Sequence, residues 1–395
     1  MPWIERKPMD EKLLLIADYL RQSADFATLC RRYGVSRKTG YKWVARYRDQ
    51  GLPGLDERSR RPKVLPAQVP LIVRQAIIDL RGRSGMEQGP KKIQAVLRQR
   101  FPDQPVPCRT TIYNVLKQAG LVVPRSQRRR VTPAPGLLRP ANAPNVLWSA
   151  DFKGQFLMGN GQWCFPLTVM DHASRYLLGC QALPAVRQTD SQAVFERLFR
   201  EFGLPDRLRT DNGVPFASLG AAGLSRLSIW WIRLGIQPER ITPGRPQQNG
   251  RHERMHRTLK RAVIQPPAQD AQAQQKRFER FCSEYNTQRP HEALGQRPPA
   301  TVYAPSPRSF PQQLPEMLYP STLHRHRVSS SGLIYWRRLR IYIGGVLADQ
   351  HIGLDAIADG VWDAYFGTVH LGRFDETTLK PGDDYLTLQK CHPCL

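Results

Sequence analysis
The chain has 395 residues, 59 Lys and Arg against 33 Asp and Glu, and a formal net charge of +26 at pH 7. Self-repulsion on that scale gives an enzyme of small metabolites no advantage, so the composition points to a polyanionic partner, nucleic acid first. The excess runs along the whole length and not along one amphipathic helix, which argues against an anionic membrane surface.

A chain this long should hold two to four domains, because a single hydrophobic core stops growing well before that length. Its cysteines (Cys30, Cys108, Cys164, Cys180, Cys282, Cys391 and Cys394) form no regular framework and imply reducing surroundings. Cys391-His392-Pro393-Cys394 is an incomplete zinc set and reads as an idle tail. Residues 1–10 lack the apolar core of a signal peptide, and the longest charge-free run, 154–170, is broken by Asn, Gln and Gly. A cytoplasmic location is expected.

Residues 1–58 read as a helix-turn-helix DNA-binding domain. Leu13, Ile16, Ala17 and Leu20, then Phe26, Leu29, Cys30 and Tyr33, recur at helical spacing; Gly34-Val35 makes a turn, and Ser36 caps a third helix with Val44 and Tyr47 inward. Arg37, Lys38, Thr39, Tyr41, Lys42 and Arg46 remain to face a major groove. A plain three-helix bundle with a basic surface competes with this reading. Residues 63–123 repeat the architecture, with Arg109, Thr110 and Tyr113 off the apolar stripe of the last helix, and a chance basic bundle rarely comes twice. Residues 124–144 are a basic, Pro-rich linker in which Arg128, Arg129 and Arg130 could track phosphates or simply be solvated.

From 145 to 268 the pattern is that of an α/β core. Strands are predicted at 146–153, 164–171 and 176–183, then a helix at 190–202, a strand at 207–210, a helix at 224–234, a short segment at 236–241 and a helix carrying Glu253. Glu253 is the only acid between Gly244 and Arg261, among five Arg, a Lys and two His, so its anionic form is favoured. Asp151 lies on the first strand and Asp211 ends the fourth, in Thr210-Asp211-Asn212-Gly213. If those strands are neighbours, Asp151, Asp211 and Glu253 supply three hard oxygen ligands suited to Mg²⁺ or Mn²⁺, and two such ions per site would serve phosphoryl transfer.

These motifs together resemble the DDE transposases and retroviral-type integrases with a ribonuclease-H-like core, in particular transposases of bacterial insertion sequences. The resemblance rests on W-S-A-D-F (148–152), M-D-H-A-S-R-Y (170–176), T-D-N-G (210–213), Q-N-G-R-H-E-R (248–254), Lys260, and Tyr285-Asn286 through Arg289-Pro290-His291 and Leu294. It implies that Asp151, Asp211 and Glu253 are the catalytic metal triad, that Lys260 contacts DNA phosphates, that Asp171 is structural, and that the protein is bacterial, nucleoid-associated and a homo-oligomer on DNA. Two departures stand out. The 41 residues between Asp211 and Glu253 are several more than usual, the surplus falling in 217–226, and no His precedes His172, so the His/Cys zinc domain of retroviral integrases is missing.

Residues 269–318 read as a helix and Pro-rich connector, and 319–390 as a small all-β barrel in which Arg325, Arg327, Arg337, Arg338 and Arg340 face DNA or a neighbouring subunit. The expected fold is multidomain: all-α helix-turn-helix domains, an α/β ribonuclease-H-like core with a mixed five-stranded sheet, and that barrel. The expected function is a transposase that binds insertion-sequence ends, cleaves their 3′ ends with Mg²⁺ and joins them to target DNA. Two other readings stay open: a catalytically inactive helix-turn-helix DNA-binding regulator, and a ribonuclease of RNA–DNA hybrids.

Overall fold
In the computed structural model, which describes residues 8–57, 69–82, 88–122, 139–218, 220–242, 244–337, 339–378 and 385–389, the chain divides into two units, 1–68 and 69–395. In the first, α1 (Pro8–Leu20), α2 (Phe26–Arg32) and α3 (Arg37–Gln50) enclose Ile16, Leu29, Cys30, Trp43, Val44 and Leu55. Asp25 and Ser36 cap α2 and α3 with their side-chain oxygens, and Gly34 turns the chain between them at φ +62°. Gly40 is what lets α3 approach α2, since a Cβ there would meet Cys30 Sγ at 2.7 Å. Trp43 rather than Tyr47 is the large buried side chain of α3; Tyr47 is half-buried.

The second unit opens with α4 (Leu71–Gly82), α5 (Pro90–Arg100) and α6 (Arg109–Gln118), packed around Val73, Ile77, Ile93, Leu97, Ile112 and Leu116. The central sheet follows: β1 (Leu147–Phe152), β2 (Phe156–Leu157), β3 (Trp163–Asp171), β4 (Leu177–Leu183), α7 (Gln188–Phe202), β5 (Arg207–Thr210), α8 (Arg226–Arg233), β6 (Gln237–Arg240), α9 (Gly250–Leu259) and α10 (Ala271–Thr287). The strand β3 lies between β4 and β1, and the order continues through β5 to β6, with β1, β5 and β6 parallel and β3 antiparallel to both its neighbours. The predicted mixed sheet of five strands is therefore present, with the two-residue β2 added on β3.

Strand alternation sends Trp148, Ala150, Leu167, Val169 and Leu208 to one face, against Phe195, Leu198 and Phe199 of α7 and Leu227 and Trp231 of α8. The other face carries Met170, Leu177 and Cys180 against Met255 and Leu259 of α9 and Phe278, Phe281 and Tyr285 of α10. Asp171, fully buried, accepts from the N–H groups of Asn145 and Ser174, and so closes the turn after β3 as a structural residue. The Pro-rich connector is tied to this layer: Tyr303 stacks on Tyr176, and Arg308 donates to the carbonyls of Pro205, Leu234 and Gly235.

The C-terminal region is β-rich but is not the single barrel expected. Strands β10 (His351–Ala358), β11 (Val361–Phe366) and β12 (Val369–Asp375) join β7 (His324–Arg327) in one sheet, while β8 (Leu333–Trp336), β9 (Leu339–Tyr342) and β13 (Leu386–Thr387) form another. Among the described residues no strand pairing links the two sheets into a closed wall. They share one core instead, with Ile334, Ile341, Leu354, Trp362 and Phe366 inside, and Leu224, Ile229 and Ile232 around α8 seal it. The surplus loop 217–226 is used at this junction, where Ala221 and Ala222 pack on that core and Arg240 donates to the carbonyls of Ala222 and Gly223. Arg325 and Arg327 are tied to Glu316 and Asp349, and Arg337 to Glu376. Arg338 lies outside the described residues.

Candidate active site
Asp151 stands near the end of the central strand β1, and β1 runs parallel to β5 with Ser149 opposite Arg209. Carried two residues on, that register sets Asp151 opposite Asp211, the first residue past β5. The turn at Asp211 is held by its own carboxylate, which accepts from the Gly213 N–H at 3.1 Å, while Asn212 donates to the Ile241 carbonyl and ties the turn to the end of β6. The chain then enters α9 through a loop in which Gln248 bridges Thr242 on both sides, and the Gln248 carbonyl accepts from Arg209.

The helix α9 is seated by hydrogen bonds as well as apolar contact. His252 and His256 are buried, one turn apart, over Ser149 of β1 and Thr168 of β3. Thr168 Oγ1 donates its one hydrogen to the Asp151 carbonyl at 2.9 Å, so it accepts from Nε2 of both His252 (2.6 Å) and His256 (2.7 Å). His252 Nδ1 is then the acceptor for Ser149 Oγ at 2.9 Å. His256 Nδ1, also without a proton, faces Asp151 Oδ2 at 3.6 Å, an arrangement that favours a proton or a cation at Asp151. Burial holds both imidazoles neutral, His252 with its pKa pushed down to about 3 and His256 well below the ordinary histidine value. Sequence reasoning missed this quartet. The signal was the four-residue spacing of His252 and His256, which puts both on one helix face.

The Asp151 carboxyl is pushed up to about 7, by burial first, then by Asp211, with a smaller contribution from Glu253 against the opposing pull of Lys153. The acids thus sense one another. Glu253 itself is exposed on α9, and among the described residues no three His, Cys, Asp or Glu side chains are gathered closely enough to hold an ion. The structure therefore brings Asp151 and Asp211 to adjoining strand ends and Glu253 into electrostatic reach, without a ready-made ligand cage. As a donor set, three carboxylates, one of them raised by burial and by its neighbours' charge, fit a hard divalent cation.

Of the residues expected to meet DNA, Arg37, Lys38, Tyr41 and Lys42 are exposed on α3, and Arg109, Thr110 and Tyr113 on α6. Thr39 is half-buried, and its N–H and hydroxyl are engaged with Ser36 at the helix cap; Arg46 is half-buried over the Trp43 ring. Lys260 is exposed just past α9, at the start of a π-helical turn, Lys260–Ile264. Arg128, Arg129 and Arg130, like the Cys391–Cys394 tail, lie outside the described residues.

Residues 141–246 match an integrase core domain family and residues 234–299 a second integrase core domain family. A helix-turn-helix domain matches 11–63 and a homeodomain-like domain 39–116. The insertion element IS407 uncharacterized 31.7 kDa protein of Burkholderia multivorans is 29% identical over 201 residues, covering 49% of this chain and 68% of that protein. The Gag-Pol polyprotein of Baboon endogenous virus is 31% identical over 125 residues, 31% of this chain and only 7% of the polyprotein. Among solved structures, the HTLV-2 integrase catalytic core domain in complex with magnesium covers 41% of this chain and 98% of its own at 13% identity and a TM-score of 0.32. The simian T-cell lymphotropic virus intasome in complex with PP2A regulatory subunit B56 gamma covers 70% and 93% at 17% identity and a TM-score of 0.37. The chain therefore carries an integrase core preceded by helix-turn-helix domains, and it is homologous to the IS407 insertion-element protein and to retroviral Pol polyproteins.

Proposed function
We propose that this protein is a DNA transposase of the integrase type, acting on the ends of an insertion sequence. The observation that carries the reading is the pairing of Asp151 and Asp211 on adjoining parallel strands, with Glu253 near enough to raise the Asp151 pKa. Asp151, Asp211 and Glu253 would hold Mg²⁺ or Mn²⁺, two ions per site, and a rotation of the exposed Glu253 side chain would complete the set. Bound there, the ions would supply Lewis acidity toward the attacking and leaving oxygens.

The chain's own residues supply the rest. The helices α3 and α6 present Arg37, Lys38, Tyr41, Lys42, Arg109, Thr110 and Tyr113 to the element's terminal repeats, and Lys260, just past α9, meets a phosphate near the site. Arg128, Arg129 and Arg130 would add backbone contacts between the two regions. Water attacks the phosphodiester at the element's end and frees a 3′-hydroxyl. That hydroxyl then attacks a target phosphodiester, one P–O bond forming as another breaks and the target's 3′-oxygen leaves, so no covalent enzyme intermediate is needed. Holding two ends together calls for a homo-oligomer on DNA, in the cytoplasm at the nucleoid. No helix among the described residues is long and apolar enough to cross a membrane.

The test is Mg²⁺-dependent nicking of duplexes bearing the element's ends. Wild type should cleave, and Asp211→Asn should bind the same duplex without cleaving it. Because the three acids are not gathered into a cage, the second reading is a catalytically inactive DNA-binding regulator. Tight end binding by the wild type with no cleavage in Mg²⁺ or Mn²⁺ would decide for it. Cleavage confined to RNA–DNA hybrids would decide instead for a ribonuclease, a reading that leaves the two helix-turn-helix domains without a use.

A further inference from the structure
Beside the carboxylates, within the second unit, lies a concentration of positive charge that the chemistry above does not use. Lys92 opens α5, Arg175 sits in the turn between β3 and β4, Arg251 and Arg254 flank Glu253 on α9, and Arg289 and His291 follow α10. Lys92, Arg175 and His291 are close enough to other members of the group to feel their charge. Lys92 is pushed down to about 7 by burial, then by Arg289 and Arg254, with Glu292 opposing. Arg175 falls to about 10 through burial and then Arg251, with Arg254 adding to the effect. His291 falls to about 3 through burial, then Lys92, Arg289 and Arg175.

Two carboxylates offset this charge in part, Asp171 acting on Arg175 and Glu292 on Lys92. Glu292, largely exposed, is ion-paired with Lys91. Two buried polar atoms, Arg175 Nη1 and His291 Nε2, have no hydrogen-bond partner. The helix α5 begins Pro90-Lys91-Lys92 after Gly89, with no side-chain cap and no acid in its first turn, so its cations sit at the positive end of the helix dipole. Like charges drawn together, a stranded guanidinium N–H and imidazole nitrogen, and cations at a helix N-terminus each cost the free protein stability. What would relieve all three is one anion with several acceptor oxygens. The open side of the cluster is Arg254, which is exposed, with Lys92 and Arg289 half-exposed behind it.

We propose that Lys92, Arg254 and Arg289, backed by Arg175 and His291, clamp one backbone phosphate of bound DNA, joining the second helix-turn-helix domain to the catalytic core through the strand itself. This rests on the DNA-processing function proposed above. Since Arg254 adjoins Glu253, the clamp would set the strand's register against the candidate active site.

Full-length protein and a fluorescent duplex of arbitrary sequence, with binding followed by anisotropy across a salt series, test the idea. Lys92→Gln and Arg289→Gln should each weaken binding about tenfold and make the log–log salt slope shallower by up to about one. The double variant should lose clearly less than the product of the single losses, because both side chains hold the same phosphate. DNA-free Lys92→Gln should melt at a higher temperature than wild type, since it removes uncompensated charge, whereas a purely structural lysine would make it melt lower. Lys276→Gln, on an exposed face of α10, should change nothing. Wild-type affinity in both single variants, or a lowered melting temperature in Lys92→Gln, overturns the clamp. If wild type binds and Lys38→Gln weakens it while Lys92→Gln and Arg289→Gln do not, the clamp alone is lost; if wild type does not bind DNA at all, the functional reading falls with it.

Discussion

On one face of the central sheet Trp148, Leu167, Val169 and Leu208 meet Phe195, Phe199 and Trp231; on the other, Ser149 and Thr168 meet His252 and His256. The first face is held by area removed from water, which is non-directional and tolerates small slides of a helix. The second adds to the apolar contact of Met255 and Leu259 a set of buried hydrogen bonds, and these resist both rotation and translation. The candidate catalytic acid rides on the second helix, α9. A carboxylate that must meet two others within a fraction of an ångström needs its helix fixed in register, and apolar packing alone does not provide that.

The largest stability effect should come from the apolar face: Trp231→Ala should cost about 3–5 kcal/mol in urea unfolding, and once refolded the protein should show no selective loss of the metal-dependent step. Thr168→Val keeps the shape but strands the Nε2–H groups of His252 and His256 and takes the donor from the Asp151 carbonyl, at about 1 kcal/mol per stranded group. It should also lower end cleavage about 10²-fold through a misplaced Glu253. A Thr168→Val protein that loses stability yet cleaves normally would erase the distinction between the faces.

The polar side should also carry the pH dependence. His172, beside Arg251 and Arg209, is pushed down to about 2 by burial first and then by those two arginines, while its Nδ1 and carbonyl oxygen accept from Arg251 at 2.9 Å. In the unfolded chain it takes a proton below about 6.5, which the folded chain refuses. Its contribution is therefore intact above about pH 6.5 and is lost as pH falls from there toward 2, by about 1.4 kcal/mol per pH unit. His172→Gln should flatten the slope of stability against pH by that amount between about pH 6 and 5; an unchanged slope would place the His172 proton elsewhere. The smallest effect should be that of Ser149→Ala, about 1 kcal/mol, because one hydroxyl hydrogen goes, shared between His252 Nδ1 at 2.9 Å and the Met170 carbonyl at 3.4 Å.

Much of this was legible in the residues. Period and caps located the six N-terminal helices, and the run of β-branched and aromatic residues bounded by Gly and Asn located β1, β3 and β4. Asp151, Asp211 and Glu253 were singled out together, by their order and setting and by the resemblance to DDE transposases, since each alone reads as an ordinary turn or surface acid. Less legible was whatever depends on partners far along the chain. Ser149 and Thr168 looked like ordinary strand residues, and His252 and His256 like part of a basic run, until 103 and 84 residues of separation were closed between the strands and His252. The all-β barrel was inferred from alternation, which predicts strands but not which edges pair, and the residues instead form two sheets around one core sealed by α8.

The sequence by itself determined most of the helices and strands and the charge, since these follow from local periodicity and composition. Only the tertiary structure decided that β1 and β5 run side by side, that two neutral histidines seat α9, and that Lys92 comes to lie beside Arg254 and Arg289. Each of those needs chain segments distant in sequence to share a dielectric environment, and the free energies of burial, repulsion and hydrogen bonding exist only once they do.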